Sequence, residues 1–304
     1  MKLAVIDVGS NTIHLLVAEC DGRTLVSVVD QSARLRLGAD VARGRAITAS
    51  KMALAATTVS DYVITSQQQR AQTILLLGTQ AVRAAANGTD LVRAIERATG
   101  LPLKVLSPAA EARLGCLGTQ LDAPDEQPHL IVDIGGGSTQ LSLAEGCDRL
   151  RFLGSLAVGS VSLATRFLLH DPPSRNARER LDPVVHEAVA AIGSDDSPVS
   201  PSYGIIIGGV GRRLRKAGRL SSGEPLVRLW VERLVDAVMS VSAETLEVLG
   251  AARAEDVDMI RSGAVILREV MHAYGLQYCL VSNNGIREGA ILAMARGEDV
   301  IDGG

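Results

Sequence analysis

Aromatic residues are nearly missing from this 304-residue chain: two Phe, one Trp and four Tyr, about 2% by composition. With so few rings to stack bases on, the composition argues against the stacking platforms of single-stranded nucleic-acid binders. Cysteine is equally sparse. Cys20, Cys116, Cys147 and Cys279 are scattered with no CxxC pair, which argues against a zinc site or a disulfide framework and for reduced thiols. No apolar run is long enough to span a bilayer. The first residues, MKLAVIDVGS, enter an alternating strand pattern with no apolar signal core. The expectation is a cytoplasmic protein that binds neither membrane nor nucleic acid. The formal net charge of -3 gives no global attraction to polyanions, so an anionic ligand would have to be held by a local site.

What is present is an α/β pattern of ordinary globular composition, 47% hydrophobic and 21% charged. Strands are predicted over 3–8, 13–19 and RTLVSVVD, then a helix from Thr48, as N-cap, to Arg70. A buried strand TILLLG follows, with helices near 80–86 and 90–99, the strand LPLKVL, and a helix opened by SPAAEARLG with Ser107 as cap. The acidic, proline-bearing LDAPDEQPH reads as a linker, with Pro124–Pro128 permitting hinge motion. Beyond it, helices are predicted near 159–170, 174–192, 225–249, 256–274 and 285–296, with strands at YGIIIGG and YCLVS and a surface loop at GSDDSPVSPS. Two domains are expected, 1–123 and 124–304, and the closing helix over 285–300 is a candidate to pack back on the first.

An internal repeat sharpens this division. LAVIDVGSNTIHLLVAE aligns with HLIVDIGGGSTQLSLAE so that Asp7 meets Asp133, Gly9 meets Gly135, Thr12 meets Ser138 and His14 meets Gln140. Each copy is a strand ending in Asp, a turn rich in Gly, Ser, Asn and Thr, and a second strand. Glycine leaves successive N–H groups free to converge on an oxygen-rich ligand, and Ser10, Asn11, Thr12, Ser138 and Thr139 add side-chain donors. Asp7 and Asp133 would repel a bare phosphate, so a divalent cation such as Mg²⁺ is expected between them and the ligand. The competing explanation is a pair of tight hairpin turns with capping aspartates; the duplication favours a phosphate site. No GK[ST] follows the glycines, and the segment after them alternates like a strand, so neither a P-loop nor a dinucleotide fingerprint is present.

Together, IDVGSNTIHLLV and IVDIGGGSTQLSL resemble the two phosphate loops of the exopolyphosphatase/guanosine pentaphosphate phosphatase family, within the actin, sugar-kinase and heat-shock ATPase superfamily. GTQAVRAAANG, SPAAEARLGCLG, SLAVGSVSLATRFL, IIIGGVGRRLRKAG, IRSGAVILREVM and GIREGAIL resemble further family segments in the same order. The resemblance covers essentially the whole chain and suits the short, two-domain form. It implies two ribonuclease-H-like lobes flanking a cleft, and hydrolysis of a terminal phosphoanhydride of inorganic polyphosphate or of guanosine pentaphosphate (pppGpp). Glu111 falls at the catalytic glutamate and Arg83 at the active-site arginine. Gly9, Ser10, Asn11, Thr12, Gly135, Gly136, Gly137, Ser138, Thr139, Gln140, Gly208 and Gly209 fall at phosphate-binding positions, with Asp7 and Asp133 at the metal. Mg²⁺, a monovalent cation such as K⁺, and a homodimer are further expectations. On the residues alone, Arg83 could be a surface charge and Glu111 plain first-turn electrostatics.

Two positions depart from the family pattern. The second loop ends on Gln140 where the family carries a carboxylate, and a third Gly-rich turn reads GGV at Val210 in place of GGT. Gln140 is isosteric with Glu but neutral, which predicts weaker metal binding or weaker catalysis. A weakly active polyphosphate or alarmone binder and an ATP-dependent sugar kinase are the rival readings. The basic run 211–219 could guide a polyphosphate or simply be a solvated helix face.

Overall fold

The computed structural model describes all residues except 124–126, 146–148, 193–198 and 301–304. It divides into two compact units, Met1–Leu121 with Asn284–Gly304, and Asp122–Asn283. The heart of the expected linker and most of the 193–202 loop lie outside the described residues.

In the first unit, β1 (Lys2–Val8), β2 (Thr12–Cys20) and β3 (Leu25–Arg34) form an antiparallel meander. Then come α1 (Leu37–Gly44), α2 (Ala49–Gln68), β4 (Thr73–Gly78), α3 (Gln80–Ala84), α4 (Gly88–Thr99), β5 (Leu103–Val105) and α5 (Pro108–Thr119). The sheet order is β3-β2-β1-β4-β5, with β4 parallel to both β1 and β5. Parallel strands under crossover helices lose both faces to the core, and β1 is apolar almost throughout for that reason. One face packs under α2 and α4 through Ala4, Ile6, Val59, Val63, Leu91 and Ile95. The other, with Leu3, Val5 and Leu77, packs against residues of α5 and of the chain's last helix.

The second unit repeats the scheme with β6 (His129–Ile134), β7 (Thr139–Ala144), β8 (Leu150–Leu156), α6 (Ser160–Phe167), α7 (Arg175–Ala190), β9 (Tyr203–Ile207) and α8 (Gly208–Ala217). β10 (Leu226–Val227), α9 (Arg228–Ser240), α10 (Ala243–Val248), α11 (Val257–Ala273) and β11 (Tyr278–Val281) complete it. Its sheet runs β10-β11-β9-β6-β7-β8. The final helix, α12 (Ile286–Arg296), belongs to the first unit and buries Ala290, Ile291, Leu292 and Ala293 there.

Several expectations are corrected. The single helix predicted over 225–249 is β10, α9 and α10. The break falls at Val241–Ser242, where Ser242 turns extended and its hydroxyl accepts from Thr245 N, capping a new helix. Arg261, wholly buried, takes up the carbonyls this break releases, donating to Val238 O and Val241 O. Gly208 and Gly209 open α8 and do not extend the strand. Thr48 stands at the N-cap of α2, but its hydroxyl donates to Asp40 Oδ2 at 2.8 Å and accepts no capping bond from the helix N–H groups. β8 and α1 have no counterpart in the sequence reading.

Candidate functional site

The site residues sit where parallel strands end. β1 and β4 run in register from Leu3↔Thr73 to Val8↔Gly78, and Gly78 pairs in turn with Val105 of β5. The turns after β1, β4 and β5 therefore emerge side by side at the carboxyl edge, where α/β sheets bind ligands. The first carries Asp7 and Gly9–Thr12, the second leads into α3 with Gln80 and Arg83, and the third into α5 with Glu111. Ser10 Oγ donates to Gln80 Oε1 at 3.0 Å, tying the first turn to α3.

Glu111 and Arg83 meet. Arg83 Nη1 lies 2.5 Å from both Glu111 Oε1 and Leu106 O. Glu111 is buried in the first turn of α5, whose N-terminus is capped by Ser107 Oγ accepting from Ala110 N at 3.1 Å. Arg83 is therefore not a loose surface charge.

Asp7 carries an unsatisfied buried oxygen. Its Oδ1 is buried with no hydrogen-bond partner among the described residues. Burial pushes its carboxyl up to about 6; Arg287 opposes the shift and Glu288 adds to it. Those two residues, at the start of α12, were not singled out in the sequence. Arg287 Nη1 donates to Asp30 Oδ1 at 2.7 Å and Nη2 lies 3.3 Å from Glu288 Oε1, while Glu288 Oε2 accepts from Gly285 N at 2.8 Å. The signal was present in GIREGAIL, but nothing in the sequence places its charges beside Asp7.

Both turns are braced in the same manner. Gly9 N donates to Thr12 O at 3.2 Å, and Gly135 N to Ser138 O at 2.9 Å. In the first, Ser10 O and Asn11 O accept from Gly38 N, Leu35 N and Arg36 N at the entry to α1. In the second, Gly135 O accepts from Ser160 N, and Gly136 O from Val161 N and Ser162 N, at the start of α6. A trans peptide points its C=O and the following N–H in opposite directions. Turning those carbonyls toward the helix leaves the N–H groups of Asn11 in one unit, and of Gly136 and Gly137 in the other, on the far side. That arrangement suits an anion.

In the second unit, β6 and β9 are parallel with Asp133 opposite Ile207, so Asp133 and the Gly208–Gly209 turn share one edge. A Cβ at Gly208 would lie 3.1 Å from Asp133 Oδ1. Across the β6–β7 hairpin Asp133 faces Gln140, as Asp7 faces His14 in the first unit. Gln140 is buried, and its Nε2 donates to Ser138 Oγ at 2.8 Å and, more weakly, to Ser155 Oγ at 3.5 Å. Thr139 turns away and donates to Val158 O at 2.8 Å. Val210 points into the core, where its Cγ1 leaves no room for a Cβ at Gly263. The side chain at position 210 is spent on packing.

The basic run is largely committed within its own unit. Arg213 pairs with Asp256 at 3.1 Å, Arg215 donates to Asn283 Oδ1 at 2.9 Å, and Arg219 to Leu249 O at 3.0 Å. Among the described residues, no group of three or more His, Cys, Asp or Glu forms a ready-made metal cage, and no helix is long and apolar enough to cross a membrane.

Residues 16–298 match the model of the Ppx/GppA phosphatase family. The chain belongs to that family. Exopolyphosphatase 1 of Mycobacterium leprae is 27% identical, over 96% of this chain and 89% of that protein. An exopolyphosphatase from Cytophaga hutchinsonii superposes with a TM-score of 0.88 at 22% identity, covering 99% of this chain and all of that one. The Aquifex aeolicus member of the Ppx/GppA family gives a TM-score of 0.81 at 20% identity, covering 98% of each chain. This Ppx/GppA chain accordingly has the two-domain actin-like α/β fold, each unit built on the repeated Asp–Gly-rich hairpin.

Proposed function

We propose that this member of the family releases terminal phosphate from inorganic polyphosphate by attack of water, with Glu111 as general base. The carrying observation is the Glu111–Arg83 pair: a buried carboxylate, held 2.5 Å from a guanidinium on the edge that also bears the Asp7 turn. Glu111 holds and deprotonates the attacking water. Arg83 holds the Glu111 carboxylate in place and presents its remaining N–H groups to phosphate oxygens. In the first unit the N–H of Asn11, and in the second those of Gly136 and Gly137 with the Ser138 hydroxyl, are donors for non-bridging oxygens, and Gly208–Gly209 lets the chain pass close to Asp133 without a side chain.

Asp7 in the first unit and Asp133 in the second are each proposed as a carboxylate for Mg²⁺. The buried, partnerless Oδ1 of Asp7 fits a carboxylate completed by a cation, and Mg²⁺ needs only one or two carboxylates beside waters and phosphate oxygens. Bound there, it would neutralise charge developing on the leaving phosphate. The rest of the work is positioning by the chain's own groups, as phosphoryl transfer requires.

pppGpp, which presents the same terminal phosphoanhydride, is the alternative substrate. The neutral Gln140 supports a second reading, a protein that binds polyphosphate or alarmone with little turnover. Phosphate release from polyphosphates of defined length, ATP and pppGpp, with and without Mg²⁺, separates these. Polyphosphate turnover abolished by Glu111→Gln supports the proposal, and tight binding without turnover in the wild type overturns it.

A further inference from the structure

The two loop serines use their single protons differently. Ser10 Oγ donates to Gln80 Oε1, so its proton is spent inside the first unit. Ser138 Oγ instead accepts from Gln140 Nε2 at 2.8 Å, and Gln140 is its one hydrogen-bond partner among the described residues. A hydroxyl has one proton and two lone pairs. With a lone pair occupied by the amide, Ser138 keeps its O–H to give away, beside the outward N–H groups of Gly136 and Gly137. A carboxylate at position 140 would reverse this polarity. It accepts only, so Ser138 would have to donate to it and would then present lone pairs to the ligand. It would also stand opposite Asp133 across the hairpin, adding a second negative charge at the same edge.

We propose that Gln140 is a positioning residue: it orients the Ser138 hydroxyl as a donor and makes the second-unit loop bind phosphate oxygens directly, without a divalent cation. This rests on the phosphate-binding reading above and names the residue that sets the loop's cation dependence. Ser138 touches the ligand; Gln140 acts through it. The consequence is that the full chain grips a polyphosphate end in the absence of Mg²⁺, while Mg²⁺ serves turnover.

The test is calorimetric titration of inorganic tripolyphosphate into the full-length protein, in EDTA and in Mg²⁺, across a double-mutant cycle of Ser138→Ala and Gln140→Glu. The wild-type Kd is expected to change less than about threefold between the two buffers. Ser138→Ala should weaken binding in EDTA about tenfold, the loss of one hydrogen bond to a charged group. Gln140→Glu should weaken it at least as much and make binding Mg²⁺-dependent, and in that background Ser138→Ala should cost almost nothing. A simple charge effect at position 140 predicts the same Ser138→Ala loss in both backgrounds, and that additivity would overturn the assignment, as would wild-type binding that requires Mg²⁺. Should Gln140→Glu not fold, Gln140→Met replaces it in the cycle, removing the donor without adding charge; an undiminished Ser138→Ala effect there is equally fatal. Polyphosphate hydrolysis measured on the same samples separates the two claims. Hydrolysis with an additive cycle removes only the role of Gln140. Absence of tripolyphosphate binding in either buffer removes the phosphohydrolase reading and the Gln140 role together.

Discussion

Asp7 illustrates how a single buried residue can cost the fold stability. Its carboxyl rises from an ordinary 3.8 to about 6 because burial disfavours the charged form. The folded state therefore holds an extra proton between about pH 4 and pH 6, and stability falls as pH rises through that window. Asp7→Asn should flatten this dependence and, in chelator near neutral pH, stabilise the fold by about 1–3 kcal/mol, the upper figure being the full shift at 1.36 kcal/mol per unit. Thermal unfolding across pH 4–8 checks it; identical profiles for the two proteins would refute it. Glu111→Gln should lower phosphate release by roughly 10²–10⁴-fold, the worth of a general base, and leave the melting temperature within a few degrees of wild type. Cys279 makes a contrasting case. Burial raises its thiol to about 12, so it should resist alkylation in the native protein and react only on unfolding, as mass spectrometry would show.

Among the elements, the helix starts that brace the two turns were the least legible in the sequence. The repeat around Asp7 and Asp133 could be read because a strand, an aspartate and a glycine turn are contiguous. The partners of those turns, α1 and α6, lie about 25 residues further on, and their role depends on one glycine each. A Cβ at Gly38 would meet Ser10 Cβ at 2.8 Å, and one at Gly159 would meet Ser138 N at 2.5 Å. Gly159→Ala should thus push α6 off the loop, cost about 1–3 kcal/mol through overpacking, and weaken tripolyphosphate binding more than tenfold. A variant that binds normally would mean the brace is dispensable. The misread helix over 225–249 has a similar cause. Its apolar spacing is continuous through Val241, but a serine cap and the buried Arg261 stabilise a break that periodicity cannot report.

At the level of the whole chain, the first unit is assembled from both ends of the sequence. α12 packs on α5 so closely that a Cβ at Gly289 would fall well inside contact distance of Leu114 O, and it brings Arg287 and Glu288 to Asp7. Truncation after Asn283 should therefore deprotect the amides of β1 and α5 in hydrogen exchange, while β6, β7 and β9 of the second unit stay protected. Uniform loss of protection across both units would contradict this. The same closure explains why the charge cluster at Asp7 escaped the sequence reading: Asp30 and Arg287 are 257 residues apart and meet at 2.7 Å.

The sequence by itself determined the α/β class, the duplicated Asp–Gly-rich hairpins, the family, and Glu111 and Arg83 as candidates. These are carried by local periodicity and by contiguous motifs, which need no tertiary information. Only the tertiary structure decided that Arg83 grips Glu111, that Val210 serves the core, that the charges of Arg287 and Glu288 act on Asp7, and that Gln140 donates to Ser138. Each of these depends on which groups a sheet register or a helix contact brings together, and hydrogen-bond direction is a property of the pair, not of either residue.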